Sequence, residues 1–299
     1  MTTLQPLTSD IASDRVTSSA DGVMLPLTLW PLEQRRGITG VFTDIDDTLT
    51  EHGAIAPAAL QALRALKDAG LHVIPITGRP VGWCRPFATG DIDSGQTAWP
   101  ADALVAENGG AAFLPDSTAP SGSGAMHVRY PQDSVTRANN RARMDEIAAR
   151  VIAEVPGVQR TRDSAGRETD LAFDYREFVS LNDAQVAQVL QILRSEGMHT
   201  HLSSIHIHGC FGHFDKWQGA RWAVQQLFGR DLTQELDHWV FVGDSGNDEA
   251  MFANAVHSVG VANIRQCAAQ LKHLPRYVTL AKRGNGFAEL ASAILDARA

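Results

Sequence analysis

Two short acidic runs carry the chemistry this chain could do: Asp44-Ile45-Asp46-Asp47-Thr48 and Gly243-Asp244-Ser245-Gly246-Asn247-Asp248. Each follows an apolar stretch that reads as a buried strand. In an open parallel sheet, ligands bind beyond the carboxyl ends of the strands. If the two strands are neighbours, their acids converge on one point. Clustered carboxylates repel one another unless protons or a cation sit among them. An all-oxygen donor set with Gly and Ser beside it suits Mg²⁺. A third apolar stretch ends in Thr77-Gly78, and Lys216 opens a helix. A hydroxyl, free backbone N–H groups and an ammonium near a cation form a phosphate-binding site. The chain has no GxxxxGK[ST] loop, which excludes an ordinary P-loop NTPase.

The elements that must position these residues alternate. Residues 38–46 read as a buried strand. Residues 57–69 read as a helix, with Pro57 in the first turn and Gly70 as its left-handed stop. Strands follow at 71–77 and 102–107. Strand, helix and strand at this spacing form a βαβ unit, hence a parallel sheet with right-handed crossovers. The pattern then changes. Residues 114–125 read as a loop, about 134–155 as a long helix and 168–178 as extended chain. Asn182 to Glu196 reads as a helix opened by a capping box, Asn182 with Gln185. Residues 199–209 read as a strand pair or one long strand. Alternation resumes with helices at 215–228, 247–254, 263–274 and 287–297 and strands at 239–244, 256–261 and 276–280. The expected fold is α/β: a Rossmann-like parallel-sheet core with an inserted α+β cap. The expected division is an N-terminal tail or arm over 1–36, a core over 37–113 and 206–299, and an insertion over 114–205. Within the arm, residues 1–22 read as a poorly ordered tail. Residues 23–32 are apolar but broken by Pro26 and Pro31, as in an extended surface arm.

Taken in order, the motifs resemble those of the haloacid dehalogenase superfamily of phosphohydrolases: DxDxT at 44–48, Thr77 within PITGRP, Lys216 within FDKWQGA, and GDSGND at 243–248. The resemblance runs from about Gly37 to the C-terminus. The insertion lies between the second and third motifs, as in members with a C2-type cap. ENGG at 107–110 and the segment 260–290 are similar to the Cof-type, subfamily IIB sugar phosphatases. The resemblance implies Asp44 as nucleophile and Asp46 as general acid and base. It implies Mg²⁺ held by Asp44, Asp244 and the backbone carbonyl of Asp46, with Asp248 in support. It implies phosphoryl oxygens held by Thr77, Gly78, Lys216 and Asn247. Asp47 stands where the family commonly has Gly, and no catalytic role is expected of it. Trehalose-phosphate, sucrose-phosphate and mannosyl-phosphoglycerate phosphatases share this layout. A phosphomannomutase-like phosphotransferase uses the same Asp pair, and a non-catalytic regulatory protein on the same scaffold is the remaining alternative.

Composition narrows the partners. The chain has 299 residues, 44% hydrophobic and 20% charged, the range of a folded globular protein. Its 26 basic and 34 acidic residues give a net charge of −8, which argues against nucleic acid and anionic membrane as partners. Cys84, Cys210 and Cys267 form no CxxC pair, so a reducing, cytoplasmic setting is expected. The expected partner is a small phosphorylated metabolite; the sequence leaves the oligomeric state open. His199, His201, His206 and His208 have strand spacing that also suits zinc, though no Cys or acid completes a ligand set. Arg79 is expected to pair with an acid or touch substrate. Arg137, Arg141 and Arg143 read as a solvated helix face or an anion contact, Trp83 as packing, and Thr48 as structural support.

Overall fold

The computed structural model describes residues 23–91, 93–116, 118 and 125–299. The tail expected at 1–22 and most of the loop expected at 114–125 lie outside the described residues. The strands are β1 (Leu25–Pro26), β2 (Gly40–Thr43), β3 (Thr50–Glu51), β4 (Ala54–Ile55), β5 (His72–Pro75), β6 (Leu104–Ala106), β7 (Ala111–Pro115), β8 (Met126–Arg129), β9 (Gln159–Arg160), β10 (Asp170–Asp174), β11 (His199–Leu202), β12 (His206–Cys210), β13 (Trp239–Gly243), β14 (His257–Gly260) and β15 (Tyr277–Val278). The helices are α1 (Leu32–Arg36), α2 (Pro57–Asp68), α3 (Val81–Thr89), α4 (Ser134–Glu154), α5 (Asp183–Ser195), α6 (Lys216–Phe228), α7 (Glu249–Asn254) and α8 (Arg283–Leu295).

The core is a parallel sheet in the order β1-β15-β14-β13-β2-β5. Its central strands are buried throughout, as a parallel sheet covered on both faces requires. Side chains alternate between two apolar layers. Val41, Val240 and Val242 pack with α2 and α8, while Phe42 and Phe241 pack with α6 and α7. The register pairs Thr43 with Val242, so the chain leaves both strands at the same edge.

A second sheet, β11-β12-β10-β9, is antiparallel and carries α4 and α5 over a separate apolar cluster. Asn182 and Gln185 form the capping box at the start of α5. The ambiguous stretch 199–209 is a hairpin, because β11 and β12 pair antiparallel. The third sheet, β6-β7-β8, is antiparallel and joins the core through a parallel bridge, Ile76 to Val105.

Hydrogen bonding moves three expected boundaries. The insertion does not end at 205, since β12 pairs with β10 and β11 inside its sheet. It does not begin at 114 either, since β8 pairs with β7 on the core side and α4 is the first element of the insert. Nor is 23–32 simply a surface arm. β1 adds an edge strand to the core sheet, and Trp30 is buried against Tyr277 and His257. An indole of that size, burial of which stabilises by about 2–3 kcal/mol, anchors the segment despite its two prolines.

Two helices also differ from expectation. The stretch 263–274 folds as two short 3₁₀ turns, Ala262–Gln266 and Ala268–Gln270, although Ile264, Cys267 and Leu271 keep helical spacing and pack on the core. The terminal helix begins at Arg283, four residues before the expected start.

Candidate active site

The register of β2 and β13 decides the site. Asp44 directly follows β2, and its backbone N–H donates to the Val242 carbonyl at 2.9 Å. Asp244 directly follows β13. The carboxylates of Asp44, Asp244 and Asp248 are buried and lie within 4.8 Å of one another. Lys216 is fully buried and donates to Asp44 Oδ1 and, at 2.6 Å, to Asp248 Oδ1. Asp248 Oδ2 accepts the N–H groups of Asp244 and Ser245 at 2.8 and 3.0 Å. Asp248 therefore ties the loop after β13 to the lysine. Asn263 Nδ2 donates to Asp244 Oδ2 at 2.9 Å and to the Asp47 carbonyl at 3.0 Å.

The electrostatics follow from this crowding. Burial raises the Asp44 carboxyl to about 7, with Asp248 and Asp46 adding to the effect and Lys216 opposing it. Burial also raises Asp244 well above the usual carboxylate range, reinforced by Asp44 and Asp248. Burial alone would lower the Lys216 ammonium, but Asp248 and Asp44 outweigh it and hold it above the usual lysine range. Three carboxylates and one ammonium leave negative charge uncompensated. Asp244 Oδ1 is buried and has no hydrogen-bond partner. An orphaned carboxylate oxygen in an all-oxygen cluster fits a hard divalent cation.

Lys216 owes its place to close backbone packing. It is the first residue of α6, whose N-cap Asp215 accepts from Gln218 N at 2.7 Å. A Cβ on Gly219 would lie 2.7 Å from Gly109 Cα. Gly109 itself has φ +103°, and a Cβ there would meet the Asp215 carbonyl at 2.7 Å. Only glycine on both sides lets the Glu107–Gly110 turn seat directly against the start of α6.

Asp46 sits differently. The Arg79 guanidinium grips it through Nε at 2.9 Å and Nη2 at 2.9 Å, and also reaches Glu177 at 2.9 Å and Asp163 at 3.3 Å. Arg79 thus ties the acid of the core to two acids of the insert. Trp83 lies alongside, with the guanidinium 5.3 Å from its ring centroid and Phe87 packed behind it. Asp47 adopts φ 55° and bonds Arg283 Nε at 2.9 Å, so it fixes the loop rather than facing the cluster.

The insert closes over the site. Asp44, Asp46, Thr77, Gly78 and Asn247 face Ser203, Ser204, His206 and His208 across a chamber of about 10 Å³, room for roughly one water. Arg167, fully buried, donates from the insert to the Gly78 carbonyl at 2.9 Å. Glu107 returns the contact, accepting the N–H groups of Glu168, Thr169 and Asp170. A wider cavity of about 630 Å³ opens beside the chamber, from Asp244 and Asn247 past Tyr175 and His201 to Lys272.

All eight residues singled out from the sequence gather here: five line the chamber, and Lys216, Asp244 and Asp248 adjoin Asp44. Sequence reasoning missed Asp163, Arg167, Asp170 and Glu177, charges among other charges in the insert with no motif around them. It also missed Asn263, concealed in a stretch read as helix. The histidines do not form a zinc site. His199 bonds His213 (2.7 Å), His201 the Phe214 carbonyl (2.8 Å), His206 Glu177 (2.7 Å) and His208 Asp170 (2.9 Å). Among the described residues the one three-ligand group is Asp44, Asp244 and Asp248. Arg137, Arg141 and Arg143 engage Tyr130, the Arg167 carbonyl and Phe211 respectively, and none lines the chamber.

Comparison with known proteins agrees with this geometry. The family described as sucrose-6F-phosphate phosphohydrolase matches residues 139–297, more than half of the chain. The family described as haloacid dehalogenase-like hydrolase matches residues 41–118. No curated protein sequence matches. Among solved structures, a Thermoplasma acidophilum protein is similar at 17% identity and TM-score 0.64, covering 86% of this chain and 98% of its own. The sucrose-phosphatase of Synechocystis sp. PCC6803, solved with sucrose and phosphate, is similar at 14% identity and TM-score 0.60, covering 87% and 98%. A haloacid dehalogenase subclass IIB sugar phosphatase is similar at 15% identity and TM-score 0.57, covering 87% and 99%. With its strand-tip acids, buried lysine and inserted cap, the chain belongs to the family described as sucrose-6F-phosphate phosphohydrolase, matches the haloacid dehalogenase-like hydrolases over 41–118, and is a phosphoric monoester hydrolase.

Proposed function

We propose that this protein hydrolyses a small sugar phosphate, with Mg²⁺, through a phosphorylated Asp44. The observation that carries the reading is the placement of Asp44, buried between Lys216 and the tip of β13, with Asp46 two residues on and facing the cap. An Asp44 carboxylate oxygen forms a bond to phosphorus as the bond from phosphorus to the leaving alkoxide oxygen breaks. Asp46 delivers its proton to that alkoxide. In the second half Asp46 takes a proton from water, the water oxygen bonds phosphorus, and the bond to Asp44 breaks to release phosphate. Arg79 donates two hydrogen bonds to Asp46 and so holds it aimed into the chamber. To serve as acid it must be released, and Arg79 retains Glu177 and Asp163 as partners when it is.

Thr77, Gly78, Asn247 and Lys216 would hold the phosphoryl oxygens. Asp44, Asp244 and the Asp46 carbonyl would hold Mg²⁺, with Asp248 in support. Bound there, the cation supplies positive charge that lets an anionic nucleophile approach an anionic ester. The 630 Å³ cavity has the size of a site for a small polyhydroxylated leaving group. The matched family and the Synechocystis relative support a sugar as that group.

The test is product analysis over a panel of hexose, disaccharide and glycerate phosphates with Mg²⁺. Inorganic phosphate released in step with free alcohol is the expected result. An isomerised sugar phosphate without release would mean a phosphotransferase. No turnover of any ester would favour a regulatory protein on this scaffold.

A further inference from the structure

Two buried polar atoms beside Gly78 have no hydrogen-bond partner: Nε2 of His208, which lines the chamber from the cap, and Asn108 Nδ2 on the core. Both converge on Gly78, and each would lie 3.1 Å from a Cβ at that position. Their chemistry is opposite. Asn108 Oδ1 accepts from Asn247 Nδ2 at 3.0 Å, and Asn247 Oδ1 in turn accepts from Ser245 Oγ at 2.9 Å. That network orients the Asn108 amide with its N–H groups towards Gly78, as donors. His208 is the reverse. Its Nδ1 lies 2.9 Å from Asp170 Oδ2, and Arg167 Nη1 lies 2.9 and 3.1 Å from the two Asp170 oxygens. Facing an ion-paired carboxylate, Nδ1 carries the proton, which leaves a lone pair on Nε2. Burial, with Arg167 and His206 nearby, pushes the imidazole well below its usual range, so the ring stays neutral.

A phosphoryl oxygen satisfies a donor but repels a lone pair. A hydroxyl proton does the converse. We propose that His208 is a specificity-determining residue whose Nε2 accepts a hydrogen bond from a hydroxyl of the leaving group, so that the site selects esters of polyols. Asn108 Nδ2 donates to the phosphoryl group, which every ester shares. Asp170 is the positioning residue that fixes the ring and its tautomer. The inference rests on the sugar-phosphatase reading and sharpens it, since a buried acceptor left unpaired discriminates against any ester that lacks the hydroxyl.

The experiment compares two variants on two substrates. His208→Asn keeps an amide where Nδ1 bonds Asp170 but puts nothing at Nε2. His208→Gln places an amide oxygen near Nε2. The substrates are the best sugar monophosphate of the panel and phenyl phosphate, which has no hydroxyl. His208→Asn should lower kcat/KM on the sugar ester by about tenfold or more and on phenyl phosphate by less than about twofold, and His208→Gln should recover most of the loss. Melting temperatures of both variants monitor the fold. Equal loss on both substrates, or no loss on the sugar ester, overturns the proposal and leaves the phosphatase reading standing. Wild-type protein that turns over no ester overturns both.

Discussion

At the scale of single residues, roles divide by partner. Asp44 faces a lysine and Asp46 faces an arginine, so two carboxylates two positions apart are prepared for different tasks. Asp44→Asn keeps the volume and leaves Lys216 paired with Asp248. Phosphate release should fall by about 10³-fold or more while the circular dichroism spectrum stays that of the wild type. Asp46→Asn should slow turnover by about 10²–10⁴-fold and leave Mg²⁺ affinity, measured by calorimetry, within about threefold. Lost affinity would show that its side chain, not its carbonyl, serves the cation. These acids were legible in the sequence because DxDxT and GDSGND each follow an apolar run and stand in order with Thr77 and Lys216, a pattern that helix capping alone does not produce. The Arg79 partners in the insert were not, since Asp163 and Glu177 look like ordinary surface acids until the cap folds over the core.

At the scale of elements, the central strands β2, β5 and β13 and the helices α2, α6 and α8 were legible from hydrophobic period and caps, whereas α3, β7, β8 and the boundaries decided by pairing were not. Nothing in HIHGC distinguishes a core strand from a cap strand before β10 is beside it. Residues 263–274 carry an apolar stripe at helical spacing, Ile264, Cys267 and Leu271, yet fold as two 3₁₀ turns, with Asn263 drawn to Asp244. The seating of α6 gives a prediction. Gly219→Val should force the helix off the Glu107–Gly110 turn, displace Lys216 and cut kcat/KM by at least about tenfold. A variant with wild-type kinetics would show that this contact does not set the lysine. The cap seam gives another. Burial works to raise the Asp163 carboxyl, but Arg167, Thr161 and Arg79 outweigh it and lower it to about 2. The folded state then holds this proton less tightly than the unfolded chain does. Its stabilisation is complete above the ordinary value near 4 and is lost as pH falls towards 2. Wild type should exceed Asp163→Asn in unfolding free energy by about 2 kcal/mol at pH 6, and by about half of that at pH 3. A gap that does not change with pH would contradict the ion-pair account.

At the scale of the whole molecule, the cap is held shut by buried charges rather than by a large apolar seam: Arg79 and Glu107 reach from the core and Arg167 from the cap. The chamber of about 10 Å³ has room for roughly one water, so the proposed reaction requires the seam to open far enough for a phosphoryl group to enter, with the sugar in the wider cavity beside it. No described helix is long and apolar enough to cross a membrane. The central claim is that Asp44, Asp46 and the Asp244 cluster act together as one phosphoryl-transfer centre around a cation. The most direct test is phosphate release from the best sugar monophosphate, before and after chelation of divalent metal, by wild type and Asp44→Asn. The account predicts release by the wild type alone, abolished by chelation and restored by added Mg²⁺. Release that persists in Asp44→Asn, or that ignores the chelator, would contradict it.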